Sequence, residues 1–271
     1  MSSQRNQTIA FIGGGNMASA LIGGLLRAGT AAERIVVIEP SQAQRDKLAQ
    51  DLGIAAQAAA DARLAHAATV VWAVKPQLFA QAAAPCAPFV ALALQLSVMA
   101  GIRSAALVAA TGSERVVRAM PNMPALIGQG IAGLYARPAV QATARAAIDA
   151  LMAPTGAVLW VAHEDDLDAV TALSGSGPAY VFYFLEAMAR AAAEMGLTEL
   201  QGRELAQATF AGAAALASQS PLSLAALREQ VTSRGGTTHA AITALDAAGV
   251  QAAFVGARHA ARTRAQELGR E

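Results

Sequence analysis

A glycine-rich turn near the start of the chain limits the possible folds more than any other feature. Residues 9–12 are all apolar, and the pattern G-x-G-x-x-A follows directly, from Gly13 to Ala18. Behind it, apolar residues recur at helical spacing until Gly29. A buried strand, a tight glycine turn and a helix in this order are typical of the first repeat of a doubly wound, mostly parallel sheet. We therefore expect an α/β Rossmann domain in this part of the chain.

The same turn predicts a dinucleotide-binding site. Gly13 would allow the tight turn, Gly15 would let the main chain approach a pyrophosphate, and Ala18 is small enough for the helix to pack on the strand. A turn without a ligand is the alternative, but the position directly after the first strand favours dinucleotide binding.

The end of the second predicted strand, residues 34–39, bears on which dinucleotide binds. In this fold the segment after that strand faces the adenosine ribose. Glu39 would hydrogen-bond the 2′-hydroxyl and repel a 2′-phosphate, which favours NAD(H). Ser41 and Arg45 could instead contact the phosphate of NADP(H). The sequence leaves this choice open, and Glu39 could also be only a solvated strand end.

Further strands and helices complete the predicted Rossmann domain. Apolar runs predict strands at residues 69–74, 92–98, 115–120, 131–135 and 158–161, and helical spacing predicts helices at residues 103–110 and 139–152. Lys75 and Pro76 follow one of these strands at its carboxyl end, where ligands bind in open α/β sheets. Pro121 and Asn122 form a rigid turn after another strand. Asn122 could hydrogen-bond a nicotinamide amide, or the turn could be purely structural.

The second part of the chain has only helical periodicity. Helices are predicted at residues 164–173, 179–194, 200–218, 222–229, 237–248 and 251–268. We therefore expect a Rossmann domain at residues 1–162 and an all-α domain at residues 163–271. The helical faces are mostly alanine and leucine, which predicts that part of this surface is buried in a partner subunit. Between the first two helices, two glycines and a proline at residues 174–178 predict a close approach of the backbone to a ligand or another helix.

A second candidate ligand site lies at residues 231–238. A helix that starts at Gly236 and Thr237 points free main-chain N–H groups at whatever lies in front, which favours an anion such as a carboxylate. Thr232, Ser233, Thr237 and Thr238 add hydroxyl groups that can donate and accept hydrogen bonds. For this stretch alone, an ordinary capped helix start is the alternative.

Composition excludes several classes of function. The 271 residues include 20 basic and 19 acidic ones without clusters, which argues against a nucleic-acid-binding surface. The single cysteine, Cys86, excludes an intrachain disulfide, and the four histidines lack the spacing of a metal site. The N-terminal apolar run is too short for a signal peptide or a membrane span, so we expect a cytoplasmic protein. Lysine occurs only at Lys47 and Lys75, so the helical part lacks the lysine acid/base that β-hydroxyacid dehydrogenases need.

Five motifs together resemble the pyrroline-5-carboxylate reductase family. They read F-I-G-G-G-N-M at residues 11–17, A-V-K-P-Q at 73–77, R-A-M-P-N-M-P-A-L at 118–126, L-S-G-S-G-P-A-Y at 173–180 and V-T-S-R-G-G-T-T at 231–238. The resemblance runs along nearly the whole chain. Arg234 stands where the family usually has proline, Met123 replaces a common threonine, and Glu39 sits where many members carry a neutral polar residue.

The resemblance implies that the chain reduces 1-pyrroline-5-carboxylate to L-proline, the last step of proline biosynthesis, with NADP(H) or NAD(H) as cofactor. It also implies that the helical domain interlocks with a second copy to form a homodimer, and that the active site lies between the cofactor domain and the helical domain of the dimer. In this family, dimers often assemble into a larger ring. Rivals are an imine reductase or hydroxyacid dehydrogenase with another substrate, and a non-catalytic dinucleotide-binding protein. The lysine-free helical part argues against the dehydrogenase, and the motifs at residues 173–180 and 231–238 argue against the non-catalytic protein.

Carried over motif by motif, the resemblance also gives the site residues. The substrate-binding residues would be Ser176, Val231, Ser233, Gly236, Thr237 and Thr238. The cofactor-binding residues would be Ile12, Gly13, Gly14, Gly15, Asn16, Met17, Glu39, Ser41, Ala73, Val74, Lys75, Pro76, Met99, Met120, Pro121 and Asn122. We expect the amides of Gly236 and Thr237, with Ser233, to hold the substrate carboxylate. The catalytic contact would be a hydrogen bond between the Thr238 hydroxyl and the ring nitrogen.

Overall fold

A computed structural model describes residues 7–270 of the chain. Residues 1–6, which belong to the segment in which we predict no signal peptide, lie outside the described residues. The described chain forms two compact units. The first extends to Ser176 and includes the described residues from Ala261 onward, and the second is Gly177–Ala260. The domain boundary expected after residue 162 stays a prediction.

The first unit is built on a seven-stranded sheet. Its strands are β1 Thr8–Ile12, β2 Ile35–Ile38, β3 Ala67–Trp72, β4 Leu94–Ser97, β5 Val116–Met120, β6 Gly130–Ala136 and β7 Gly156–Trp160. They lie in the order β2-β1-β3-β4-β5-β6-β7, and all neighbours pair in parallel except β5 and β6. The expected doubly wound, mostly parallel sheet is therefore confirmed. Because β1 to β5 are parallel, their carboxyl ends share one edge of the sheet, where ligands bind in this fold class.

Helices cover both faces of this sheet. They are α1 Asn16–Arg27, α2 Gln42–Leu52, α3 Phe79–Ala83, α4 Ala87–Val90, α5 Ser104–Thr111, α6 Ala142–Met152 and α7 Asp166–Val170. Side chains of α1, α2 and α6 join Phe11 in one buried cluster, and side chains of α3, α4 and α5 join Ile12 in another. Because successive residues of a strand point to opposite faces, the two clusters form the two halves of the core.

The second unit contains only helices. They are α8 Gly177–Glu194, α9 Glu199–Gln219, α10 Leu224–Gln230, α11 Thr237–Ala247 and the first part of α12 Val250–Leu268. α9 begins with a capping box, in which Thr198 and Gln201 each accept a hydrogen bond from the other's main-chain amide. The predicted helical part of the chain is confirmed. Within residues 7–270 no single helix is long and apolar enough to cross a membrane, although α11 and α12, bent by 53° at their junction, pass that test as a pair by length and composition.

The segment that follows α7 differs from the prediction. Instead of a regular helix to residue 173 and then a glycine loop, a π-helical turn, Thr171–Gly175, continues α7. The Ser176 amide donates to the Thr171 carbonyl at 2.8 Å, which is the spacing of such a turn. Gly175 permits the close packing here, because a Cβ would lie 2.7 Å from the Met120 side chain. The turn is thereby fixed beside the carboxyl end of β5.

Candidate active site

The glycine turn after β1 brings three strand ends together. Gly13 has a φ of +96°, and its amide donates to the Ile38 carbonyl at 2.8 Å. A Cβ at this position would lie 2.6 Å from the Ala73 carbonyl oxygen. Only glycine satisfies both the backbone conformation and the space, so the turn is packed between the ends of β2 and β3.

The amino end of α1 is open to an anion. Gly15 is the N-cap residue and no side chain caps the helix. A Cβ on Gly15 would meet no atom within 4 Å, and Gly15 and Asn16 are exposed, with Met17 half-buried. Ile12 is 2% exposed, so only its main chain could contact a ligand. Uncapped amides beside open space fit the pyrophosphate of a dinucleotide, the group that the sequence predicts here.

Other residues predicted to bind the cofactor follow β3 and β4 at the same edge of the sheet. Ala73 and Val74 are half-buried, whereas Lys75 and Pro76 are exposed at the start of a 3-10 turn. Met99 differs from the expectation for a ligand-binding side chain. It is 3% exposed and packs in the core, so only its main chain could contact a cofactor.

Met120, Pro121 and Asn122 end β5 and form the turn that follows it. Met120 is half-buried and Pro121 is buried. The Asn122 Oδ1 accepts a hydrogen bond from the Ile131 amide at 3.0 Å, which ties the turn to β6. This contact supports the structural interpretation for the side-chain oxygen. A contact between the Asn122 NH2 group and a nicotinamide amide stays a prediction.

Glu39, directly after β2, is held by the glycine turn itself. Its Oε2 accepts a hydrogen bond from the Gly14 amide at 2.9 Å, and its Oε1 accepts one from the Ser41 amide at 2.8 Å. Arg45 donates to the carbonyls of Glu39 at 2.8 Å and Pro40 at 2.7 Å. The three residues that bear on cofactor choice, Glu39, Ser41 and Arg45, therefore form one hydrogen-bonded group.

The amino end of α11 carries most of the predicted substrate residues. Gly235 has a φ of +75°, and Gly236 is the N-cap residue of a helix that no side chain caps. The Gly236 amide donates to the Ser233 carbonyl at 3.0 Å, which corrects its expected role as a free carboxylate donor. The open donors are instead the first amides of the helix, including those of Thr237 and Thr238. A Cβ on Gly236 would lie 2.6 Å from the Ser233 Oγ, so glycine lets this hydroxyl pack at the helix start.

The hydroxyls of Ser233, Thr237 and Thr238 make no hydrogen bond within residues 7–270, unlike those of two other threonines nearby. The hydroxyls of Thr232 and Thr243 donate to the carbonyls of Arg228 at 2.6 Å and His239 at 2.8 Å. The Thr238 side chain is half-buried, and within residues 7–270 its hydroxyl has no hydrogen bond. It is therefore available to a ligand.

Two further residues predicted to bind substrate belong to different units. Val231 follows α10 in the second unit and is 65% exposed. Ser176 ends the π-helical turn in the first unit and is half-buried. Their roles at the substrate stay predictions.

The structure contains a buried ion pair at β5 that the sequence analysis does not predict. Arg118, in β5, is 5% exposed, and its Nη1 donates to Glu164 Oε1 at 2.8 Å. Ser104, the first residue of α5, donates to the same carboxylate from its amide at 2.6 Å and its hydroxyl at 2.7 Å. Burial alone would raise the pKa of Glu164, but these hydrogen bonds and the guanidinium hold it below its ordinary value of 4.5. An arginine inside a predicted buried strand is the signal that could have revealed the pair, since a buried charge requires a partner.

Comparison with known proteins identifies the family of the chain. Residues 164–268 match the family model described as pyrroline-5-carboxylate reductase dimerisation, and residues 8–101 match the model described as NADP oxidoreductase, coenzyme F420-dependent. A pyrroline-5-carboxylate reductase of Haemophilus influenzae is 41% identical over 270 residues, which cover 97% of this chain and 98% of that protein. The chain belongs to the pyrroline-5-carboxylate reductase family. The resemblance found in the five motifs is thereby confirmed.

Solved structures of the pyrroline-5-carboxylate reductase family extend the match to three dimensions. The enzyme of Coxiella burnetii superposes with a TM-score of 0.89 at 35% identity, covering 97% of this chain and 98% of that one. The Plasmodium falciparum enzyme, solved with NADP bound, superposes with a TM-score of 0.87 at 26% identity, covering 98% and 99%. The fold and its two-part organisation are therefore those of this reductase family.

Proposed function

We propose that the chain reduces 1-pyrroline-5-carboxylate to L-proline with NAD(P)H, as the last step of proline biosynthesis in the cytoplasm. The observation that carries the proposal is the uncapped start of α11, with a free Thr238 hydroxyl, in a member of this reductase family. The substrate is a cyclic imine that bears a carboxylate. A helix start with a neighbouring hydroxyl offers one group for each of these two features.

The cofactor would be held by the edge of the sheet. The turn at Gly13 and the open helix start at Gly15 fit a pyrophosphate, and the segment that follows β3 would border the nicotinamide half. The bound nicotinamide would supply a hydride to the carbon of the C=N bond. The residues of the chain would align the two reacting rings, and such alignment supplies much of the acceleration in reactions of two bound partners.

The substrate carboxylate would lie at the amino end of α11. The amides of Thr237 and Thr238 are directed out of the first helical turn, and the helix dipole favours a negative charge there. Ser233 would add its hydroxyl, which packs against Gly236. Gly236 contributes by leaving space beside the helix start, because its own amide is bonded to Ser233.

The Thr238 hydroxyl would hydrogen-bond the ring nitrogen. A protonated imine is already a strong electrophile, so the protein needs to orient it rather than protonate it through a strong acid. This requirement agrees with a helical part that contains no lysine. A threonine hydroxyl can accept the N–H of the protonated imine and can still bond the amine that forms.

Replacement of Thr238 tests this assignment. We expect Thr238→Ala to lower kcat/KM for 1-pyrroline-5-carboxylate by roughly 10- to 1000-fold, the range for one positioned hydrogen-bonding group. Thr238→Ser should keep most of the activity because it keeps the hydroxyl. Thr243→Ala is the matched control, since its hydroxyl bonds only the His239 carbonyl, and it should change the rate by less than about twofold. Equal rates for Thr238→Ala and Thr243→Ala would remove Thr238 from the mechanism.

We also propose that the helical part, residues 163–271, forms a homodimer and that dimers assemble into a ring, with residues 1–162 as the cofactor domain. α8, α10 and α11 bury none of their residues in the single chain. Tyr183, Leu205 and Leu224 are 69%, 56% and 74% exposed. An apolar surface of this kind supports burial in a partner subunit. Light scattering should give an even multiple of the chain mass, and a monomer at micromolar concentration would contradict the assembly.

A further inference from the structure

We propose that Glu39 makes this chain prefer NADH to NADPH, because its fixed carboxylate would hydrogen-bond a ribose 2′-hydroxyl and repel a 2′-phosphate. The inference rests on the proposed function only in that the cofactor is a nicotinamide dinucleotide. It goes further by choosing between the two cofactors on the contacts of three residues.

The carboxylate of Glu39 is fixed by two main-chain amides from different segments. Oε2 accepts from Gly14 in the glycine turn, at 2.9 Å, and Oε1 accepts from Ser41, the N-cap residue of α2, at 2.8 Å. Amides of a glycine turn and of a helix start are the donors that proteins commonly use for phosphate. Here an internal carboxylate takes these two donors.

The backbone around Glu39 leaves little freedom to move that carboxylate away. The Glu39 amide donates to the Gln57 carbonyl at 2.7 Å, and the Gly13 amide donates to the Ile38 carbonyl at 2.8 Å. A Cβ on Gly14 would lie 3.4 Å from both Cβ and Cγ of Glu39, so the glycine turn directly contacts the side chain. The charge is therefore held directly after β2, where this fold class binds the adenosine ribose.

The cation of this group, Arg45, is already hydrogen-bonded to neutral oxygens of the chain. One Nη atom of Arg45 donates to the carbonyls of Glu39 and Pro40, and the other donates to the Gln42 side chain. Arg45 would have to leave these three neutral oxygens to neutralise a phosphate. It would do so beside the fixed carboxylate of Glu39, which makes the exchange unfavourable.

NADH and NADPH would therefore interact differently with the group formed by Glu39, Ser41 and Arg45. A ribose 2′-hydroxyl can donate to a free lone pair of the Glu39 carboxylate, since each oxygen accepts only one main-chain hydrogen bond. A 2′-phosphate carries about −1.5 to −2 charges at neutral pH and would be repelled. At separations of about 5–6 Å, this repulsion corresponds to roughly tenfold in affinity at the dielectric constant of water and to more near a protein surface, where salt screening limits it, so we expect roughly 10- to 100-fold.

Direct binding measurements on the full chain test the proposal without turnover. Dissociation constants for NADH and NADPH, and for ADP-ribose and its 2′-phosphate, would be measured by calorimetry at one fixed ionic strength. We expect the wild type to bind the forms without the 2′-phosphate roughly 10- to 100-fold more tightly. Glu39→Gln should reduce that ratio at least about tenfold, while Glu39→Asp, which keeps the charge, should retain a preference for NADH.

Glu33→Gln is the matched control. Glu33 is an exposed acid in the turn before β2, at the opposite end of the strand from Glu39, so its replacement should leave the ratio unchanged. The proposal is overturned if the wild type binds NADPH as tightly as NADH, or if Glu39→Gln and Glu33→Gln give the same ratio. Tight NADH binding with no reduction of 1-pyrroline-5-carboxylate would instead contradict the proposed function and leave this inference standing.

Discussion

Replacement of Glu164 by glutamine should destabilise the protein far more than the loss of an exposed ion pair would. The carboxylate receives three hydrogen bonds, from Arg118 Nη1 at 2.8 Å and from the amide and hydroxyl of Ser104 at 2.6 and 2.7 Å. Every one of these partners donates. A glutamine NH2 group in place of Oε2 would have to reverse the hydrogen bond with the Ser104 hydroxyl, which a hydroxyl permits, so the main loss is the negative charge beside a buried guanidinium.

The exposure of the two side chains sets the size of the effect. The Arg118 side chain is 6% exposed and that of Glu164 is 20% exposed. Breaking a fully buried pair by removing one partner costs about 3–5 kcal/mol. Because Glu164 keeps some contact with water, we expect about 2–4 kcal/mol for Glu164→Gln, which corresponds to a fall in the melting temperature of roughly 5–12 °C.

Thermal and urea unfolding at a fixed protein concentration provide the assay. Glu194→Gln is the control, because its pair with Arg190 is exposed on both sides, at 72% and 80%, and should contribute less than about 1 kcal/mol. In an Arg118→Met background, Glu164→Gln should lower the free energy of unfolding by about 2 kcal/mol less than it does in the wild type, because no buried guanidinium is then left without its counter-charge. Equal effects of Glu164→Gln and Glu194→Gln, or additive effects with Arg118→Met, would refute the reasoning.

Three further predictions follow from single contacts. Because the folded-state pKa of Glu164 is lowered, its contribution to stability is complete above pH 4.5 and is lost as the pH falls through the folded value, so the melting temperatures of wild type and Glu164→Gln should converge in acid. Gly15→Ala should keep the wild-type melting temperature but weaken NADH binding by about tenfold or more. Gly13→Ala should lower both the melting temperature and the affinity for NADH, because its Cβ would lie 2.6 Å from the Ala73 carbonyl oxygen. Burial raises the pKa of the Cys86 thiol to about 11, so a thiol reagent should modify it at neutral pH only after unfolding, and rapid reaction of the native protein would contradict this.

Patterns within short windows predicted much of this fold. The strand, glycine turn and helix around Gly13 were identifiable because each signal is local: an apolar run, a glycine at positive φ, and a helical face. The start of α11 at Thr237 was equally local, since Gly235 and Gly236 precede a regular helix. The observed ends of several helices and strands differ from the predicted ends, because the terminal residues of a helix or strand depend on their neighbours.

Contacts between distant parts of the chain were not predictable in this way. The Glu39 carboxylate bonds an amide 25 residues away, and Arg118 bonds a carboxylate 46 residues away, so neither contact leaves a periodic pattern. The π-helical turn depends on the space between Gly175 and the Met120 side chain. The Gly236 amide was expected to be free, but a tight turn back to the Ser233 carbonyl removes it from the site.

The most direct test of the account is the reaction itself. Purified protein would be mixed with 1-pyrroline-5-carboxylate and either NADH or NADPH, with cofactor oxidation followed optically and L-proline determined in the same samples. We predict one L-proline formed for each cofactor oxidised, with strong inhibition by carboxylate analogues of proline. Dinucleotide that binds but is never oxidised in the presence of the imine, or oxidation that produces no L-proline, would contradict the proposed reduction.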